Sequence, residues 1–238
     1  MKPQDRIILA LDVDSEAKAL NLVEKLADSV GAFKVGMQLY NQLGPSIVQR
    51  IQGLGGRVFV DLKFHDIPNT VAGAAKIMTG LNCFMFNVHA SGGREMMTAA
   101  MKAVQEESTR LGCEPPLVLA VTVLTSISEQ QLHDDMFISR RLEQTVVGWA
   151  QMAKECGLNG VVCSPHEIAP IRQACGSDFV IVTPGIRPLW SEKNDQKRIT
   201  TPREALKIGA DYMVIGRPIT AASAPREAAR RIIEELEE

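Results

Sequence analysis

What most constrains this chain is an alternation that runs from end to end: a short apolar run, then a segment of helical period, then another apolar run. The strand-like runs are Arg6–Asp12, Ala32–Gly36, Arg57–Lys63, Cys83–His89, Leu117–Val123, Gly160–Cys163, Phe179–Thr183 and Tyr212–Ile215. Most are almost continuously hydrophobic, as parallel strands buried on both faces are. Between them lie helical patterns. Ser15–Ser29 carries Ala17, Leu20, Val23, Leu26 and Ala27 along one stripe, the mark of a helix with one buried face. Gly44–Gly53, Thr70–Gly80, Gly93–Leu111, Arg140–Cys156 and Pro225–Leu236 follow the same logic. Two further helices announce their starts. Ser164-Pro165-His166-Glu167 and Thr201-Pro202-Arg203-Glu204 each place a hydroxyl cap, a proline at the first helical position and a glutamate at the third.

Eight such units in 238 residues predict a single-domain α/β protein, a closed (β/α)8 barrel. An open doubly wound sheet is the alternative, but no GxGxxG turn follows any strand. The apolar fraction of 45% is enough for a sizeable core. A net charge of −2 and few aromatics give no reason to expect nucleic acid. No apolar run approaches a membrane span, and the N-terminus lacks a signal-peptide pattern. The cysteines Cys83, Cys113, Cys156, Cys163 and Cys175 form no CxxC pair. They read as reduced thiols of a cytoplasmic protein, without a structural zinc site.

The chemistry concentrates at Val60-Asp61-Leu62-Lys63-Phe64-His65-Asp66-Ile67-Pro68-Asn69-Thr70. On a regular strand, residues two apart face one side, so Asp61 and Lys63 are expected to point together. Pro68 is expected to interrupt regular structure, with Asn69 capping the next helix. Two carboxylates about 4 Å apart repel by roughly 4 kcal/mol at an effective dielectric of 20, and a lysine between them offsets that. An exposed ion cluster is the bland alternative. Barrel active sites lie at the C-terminal strand ends. There the chain offers Asp12, Lys34, Asp61, Lys63, Asp66, His89, Thr125, Ser126 and Arg187. Gly216-Arg217, after the eighth strand, suits a phosphate: glycine admits an oxygen close to the backbone and arginine binds it bidentately. The long polar stretch from Pro184 to Thr200 holds Gly185, Arg187, Gln196, Lys197 and Arg198, and is expected to be an anion-binding lid. His65 reads as a structural histidine, and Trp149, Met96, Met97 and Met101 as helix packing. These features alone point to a barrel enzyme acting on a small phosphorylated molecule, with a Lys/Asp array able to move protons.

The residues also carry a resemblance. Ala10-Leu11-Asp12, Phe33-Lys34-Val35-Gly36, the eleven residues from Val60 to Thr70, Val182-Thr183-Pro184-Gly185-Ile186-Arg187-Pro188, Asp195-Gln196-Lys197-Arg198 and Val214-Ile215-Gly216-Arg217-Pro218 resemble the orotidine 5′-phosphate decarboxylase family in its bacterial form. The similarity spans essentially the whole chain; Asn194, before Asp195-Gln196, is a local departure. The resemblance implies a TIM-barrel homodimer that converts orotidine 5′-monophosphate to uridine 5′-monophosphate, the last step of de novo pyrimidine synthesis. It implies no metal and no organic cofactor. By the same resemblance, Lys34, Asp61, Lys63 and Asp66 form a charged array. Asp66, Ile67 and Thr70 reach into the partner's site. Asp12, Lys34 and Thr70 hold the ribose, and Thr125 and Ser126 sit by the pyrimidine. Pro184 lies at the substrate, and Arg187, Gln196, Gly216 and Arg217 grip the phosphate. A Mg²⁺-dependent phosphosugar enzyme of the same barrel type, and a barrel that binds nucleotides without turnover, are the competing readings.

Overall fold

The computed structural model describes residues 1–191 and 200–237. Its strands are β1 (Ile7–Ala10), β2 (Ala32–Gly36), β3 (Val58–Phe64), β4 (Met85–His89), β5 (Leu117–Val121), β6 (Gly160–Val162), β7 (Val180–Pro184) and β8 (Tyr212–Ile215). All pair in parallel with their neighbours, and β1 pairs with β8, so the sheet closes on itself. The expected (β/α)8 barrel is thus the observed one, and each strand falls where an apolar run predicts it. The helices are α1 (Glu16–Leu26), α2 (Met37–Leu43), α3 (Ser46–Gly53), α4 (Pro68–Gly80), α5 (Gly93–Leu111), α6 (Glu129–Asp134), α7 (Leu142–Glu155), α8 (Ile168–Cys175), α9 (Pro202–Ile208), α10 (Arg217–Thr220) and α11 (Pro225–Glu237). None is long and apolar enough to cross a membrane.

The strand period explains the two cores. Ile8, Phe59, Met85, Leu119, Val182 and Val214 point inward and fill the lumen. Ile7, Leu9, Phe33, Val60, Phe86 and Ile181 point outward and meet the helices. Both sides of each strand are therefore dry, which is why the runs are continuously apolar. β6 begins on a glycine because a Cβ at Gly160 would sit 2.0 Å from the Val180 carbonyl oxygen of the next strand. Met96 and Met97 are buried in α5, and Trp149 packs against the core from α7.

Helix starts follow their caps. Ser15 accepts the Lys18 N–H at the head of α1. Ser164 and Thr201 each form the reciprocal box expected from sequence, with Glu167 and Glu204. One expectation is overturned. Pro68 does not interrupt regular structure but opens α4 at its first position, and Ile67, not Asn69, stands at the cap. A proline there loses nothing, because the first-turn N–H has no helical acceptor anyway. β3 also departs from a regular strand. Its pairing with β4 shifts register between Val60 and Phe64, and Lys63 takes a left-handed φ of 55°.

Candidate active site

Lumen positions change character going up the barrel. Above the apolar layer of Ala32, Phe59 and Met85 come Lys34, Asp61 and Asn87, two residues further along β2, β3 and β4. Asp61 is the hub. Its Oδ1 accepts from Lys63 Nζ at 2.7 Å and from Asn87 Nδ2 at 2.8 Å. Its Oδ2 lies 3.3 Å from Lys34 Nζ, which also donates to Asp12 Oδ1 at 3.0 Å. The result is a row of alternating charge, Asp12–Lys34–Asp61–Lys63, with Lys34 only 9% exposed. The buried Lys34 and the half-buried Lys63 each lie against a carboxylate, which is how a low-dielectric site tolerates lysines. Asp61 and Lys63 do point together, as their spacing predicts.

These four side chains line a cleft of about 350 Å³ at the C-terminal end of the barrel. Thr125 lines it from beyond β5, Pro184 and Arg187 from the end of β7, and Gly216 and Arg217 from the end of β8. Gly185 takes a φ of 78°, which glycine adopts without strain, and Ile186 then bridges to Thr200. Arg187 is 6% exposed, and its N–H donates to the Thr200 carbonyl. Gln196, Lys197 and Arg198, like Asn194 and Asp195, lie outside the described residues.

Other expected site residues do not enter this cleft. Asp66, Ile67 and Thr70 lie past its edge, at the turn into α4, and all are exposed; Ile67 is 68% exposed. Asp66 Oδ1 accepts the Ile67 N–H at 2.6 Å. Ser126 is exposed beside Thr125. His89 does not line the cleft; its ring centroid is 5.3 Å from that of His65. Burial, with His65 and Lys63 nearby, holds the His89 pKa below its usual value, and Asp61 opposes that shift. Among the described residues, no three His, Cys, Asp or Glu side chains gather as a metal site.

Asn87 is the residue that motif reading misses. It is the one amide in the apolar run Met85-Phe86-Asn87-Val88, and it shares the lumen face with His89 two positions on. A polar side chain at a lumen position of a buried strand was the available signal.

A closed parallel barrel with a charged row at the ends of β1, β2 and β3 and arginines at the ends of β7 and β8, around one cleft, belongs among the (β/α)8 enzymes with their sites at the C-terminal strand ends. Residues 5–232 match the model of the orotidine 5′-phosphate decarboxylase / HUMPS family, and the chain belongs to that family. It is 65% identical to a Syntrophomonas wolfei protein named orotidine 5′-phosphate decarboxylase, covering all of both chains. A Heliobacterium modesticaldum protein of the same name is 51% identical, over all of this chain and 98% of that one. The crystal structure of orotidine 5′-phosphate decarboxylase from Lactobacillus acidophilus superposes with a TM-score of 0.87 at 37% identity, covering 98% of this chain and 99% of that one.

Proposed function

We propose that this chain decarboxylates orotidine 5′-monophosphate to uridine 5′-monophosphate and CO2, closing de novo pyrimidine synthesis in the cytoplasm. The observation that carries the reading is the Asp12–Lys34–Asp61–Lys63 row lining one cleft with Arg187 and Arg217. The chemistry asks for such a row. Breaking the bond from C6 to the carboxylate leaves an electron pair on C6 with no adjacent carbonyl to delocalise it, so fixed charge must stabilise it. Lys63, as an ammonium, lies against that pair and then delivers its proton to C6. Asp61, with Asp66 of a partner subunit, keeps the Lys63 ammonium aimed, because opposite charges at hydrogen-bond distance attract. Asp12, Lys34 and Thr70 hold the ribose, Thr125 and Ser126 flank the pyrimidine with Pro184, and Arg187, Gln196, Gly216 and Arg217 bind the phosphate. Grip on that remote phosphate is binding energy available for orientation and closure. The reading uses no metal and no organic cofactor.

It also makes the enzyme a homodimer. Asp66, Ile67 and Thr70 are exposed at the cleft's edge instead of lining their own chain's site, as groups lent to a neighbour would be.

The test follows orotidine 5′-monophosphate absorbance with EDTA present, for wild type and Lys63→Ala. Turnover that survives chelation and falls by at least about 10³-fold in the variant is expected, the scale of losing a charge-stabilising group that also supplies the proton. Turnover only with added Mg²⁺ would move the reading to phosphosugar chemistry, and an active Lys63→Ala enzyme would mean the proton comes from elsewhere.

A further inference from the structure

We propose that Asn87 is a positioning residue for the reaction: its amide holds Lys63 in its left-handed conformation and Asp61 at the lysine's ammonium. The inference rests on the decarboxylase reading above. Lys63 has a φ of 55°, in a region that residues with a Cβ seldom occupy. Such a conformation persists only where the surroundings over-determine it. Here Asn87 does so. The Lys63 N–H donates to Asn87 Oδ1 at 2.8 Å, and Asn87 Nδ2 donates to Asp61 Oδ1 at 2.8 Å. The same Asp61 oxygen receives the Lys63 ammonium at 2.7 Å.

These partners fix which way the amide faces. A backbone N–H can only donate, so it meets the amide oxygen; an ionised carboxylate can only accept, so it meets the nitrogen. One side chain therefore ties the backbone of the proton donor to the carboxylate that holds its head group, closing a ring through residues 61, 63 and 87. The register shift between Val60 and Phe64 takes the Lys63 N–H out of the regular ladder, and Asn87 supplies its acceptor. Asn87 is fully buried at 0% exposed and does not line the cleft, so it acts on substrate only through Asp61 and Lys63. A polar group that only satisfied the backbone would need no donor facing Asp61.

That difference supplies the test. Asn87→Asp keeps the shape and the acceptor for Lys63 but turns a second carboxylate toward Asp61; Asn87→Ala removes both bonds. Decarboxylation kinetics, uridine 5′-monophosphate affinity by calorimetry and thermal midpoints are measured for both variants and wild type. Loss of a hydrogen bond to a charged group in a catalytic array is expected to lower kcat by about 10- to 100-fold in each variant. Product affinity is expected to stay within about threefold, because the two Asn87 bonds go to Lys63 and Asp61 and not to the groups assigned to the ribose and phosphate. The proposal is overturned if Asn87→Asp keeps kcat within about threefold of wild type, or if product affinity falls by the same factor as kcat. Failure of both variants to fold would also overturn it, marking Asn87 as structural only. A wild type that never turns over orotidine 5′-monophosphate would remove the decarboxylase reading itself, whereas an active wild type with unaffected variants would remove only the role of Asn87.

Discussion

At the scale of single residues, burial decides how charge behaves, and Glu167, which does not line the cleft, shows it. Burial pushes its carboxyl up to about 7, against the pull of the Ser164 backbone N–H that it accepts at 2.8 Å. A carboxyl raised in the folded state stabilises the fold when protonated. That contribution is complete below the unfolded pKa and fades as pH rises through the folded value, so it is lost between about 4.5 and 7. Glu167→Gln keeps an oxygen for Ser164 and cannot ionise. Its melting temperature at pH 8 is expected to exceed wild type by roughly 2–4 °C, about 1 kcal/mol in a chain of this length. The gain should vanish near pH 4, and a constant offset at both pH values would mean packing, not ionisation, explains it. Site residues were legible wherever period two alone decides them: Lys34 and Asp61 face the lumen because alternate strand positions must. The left-handed turn at Lys63 and its Asn87 partner were not, because a register shift between β3 and β4 is set by how two strands meet, not by either one.

At the scale of elements, the strands were readable because a parallel barrel strand is dry on both faces, and only a continuous apolar run satisfies that. The short helices α2, α6 and α10 were not foreseen. Each is under two turns, too short to display a stripe, and α10 follows the Gly216 expected for phosphate. At the far end of the barrel one side chain ties several segments together. Arg172, in α8, donates from Nη1 to the carbonyls of Gly176, Ser177 and Phe179 at 2.7–3.0 Å. Its Nη2 reaches the Gly209 carbonyl and Asp211 Oδ2, both at 2.7 Å. Asp211 Oδ2 in turn accepts the Ile181 N–H, so α8, β7 and the α9–β8 turn share one clamp. Arg172→Ala is expected to cost about 2–3 kcal/mol by stranding these acceptors, lowering the melting temperature by roughly 5–10 °C. The cleft lies at the other end of β7, so kcat should stay within about twofold. A large loss of kcat at temperatures where the variant is fully folded would contradict this separation.

At the scale of the whole molecule, the decarboxylase reading requires two copies. Ile67 and, along α4, Ile77 leave apolar surface in water, at 68% and 59% exposure. Mixing inactive Lys63→Ala subunits with inactive Asp66→Ala subunits tests the sharing of sites. Lys63 and Asp66 of one site then come from different chains, so each mixed dimer holds one intact site and one doubly impaired. Recovery toward about a quarter of wild-type activity is expected for random exchange, half the dimers being mixed with one working site each. No recovery after confirmed exchange would show that Asp66 serves its own chain. The backbone at Lys63 bears on the history of such a chain as well as its chemistry. A glycine at position 63 would relax the left-handed φ, while taking from Asp61 the ammonium at its Oδ1 and from the reaction its proton donor. Backbone ease and turnover therefore pull this codon in opposite directions. Any effort to stabilise this protein should therefore hold position 63 constant and look for gains elsewhere.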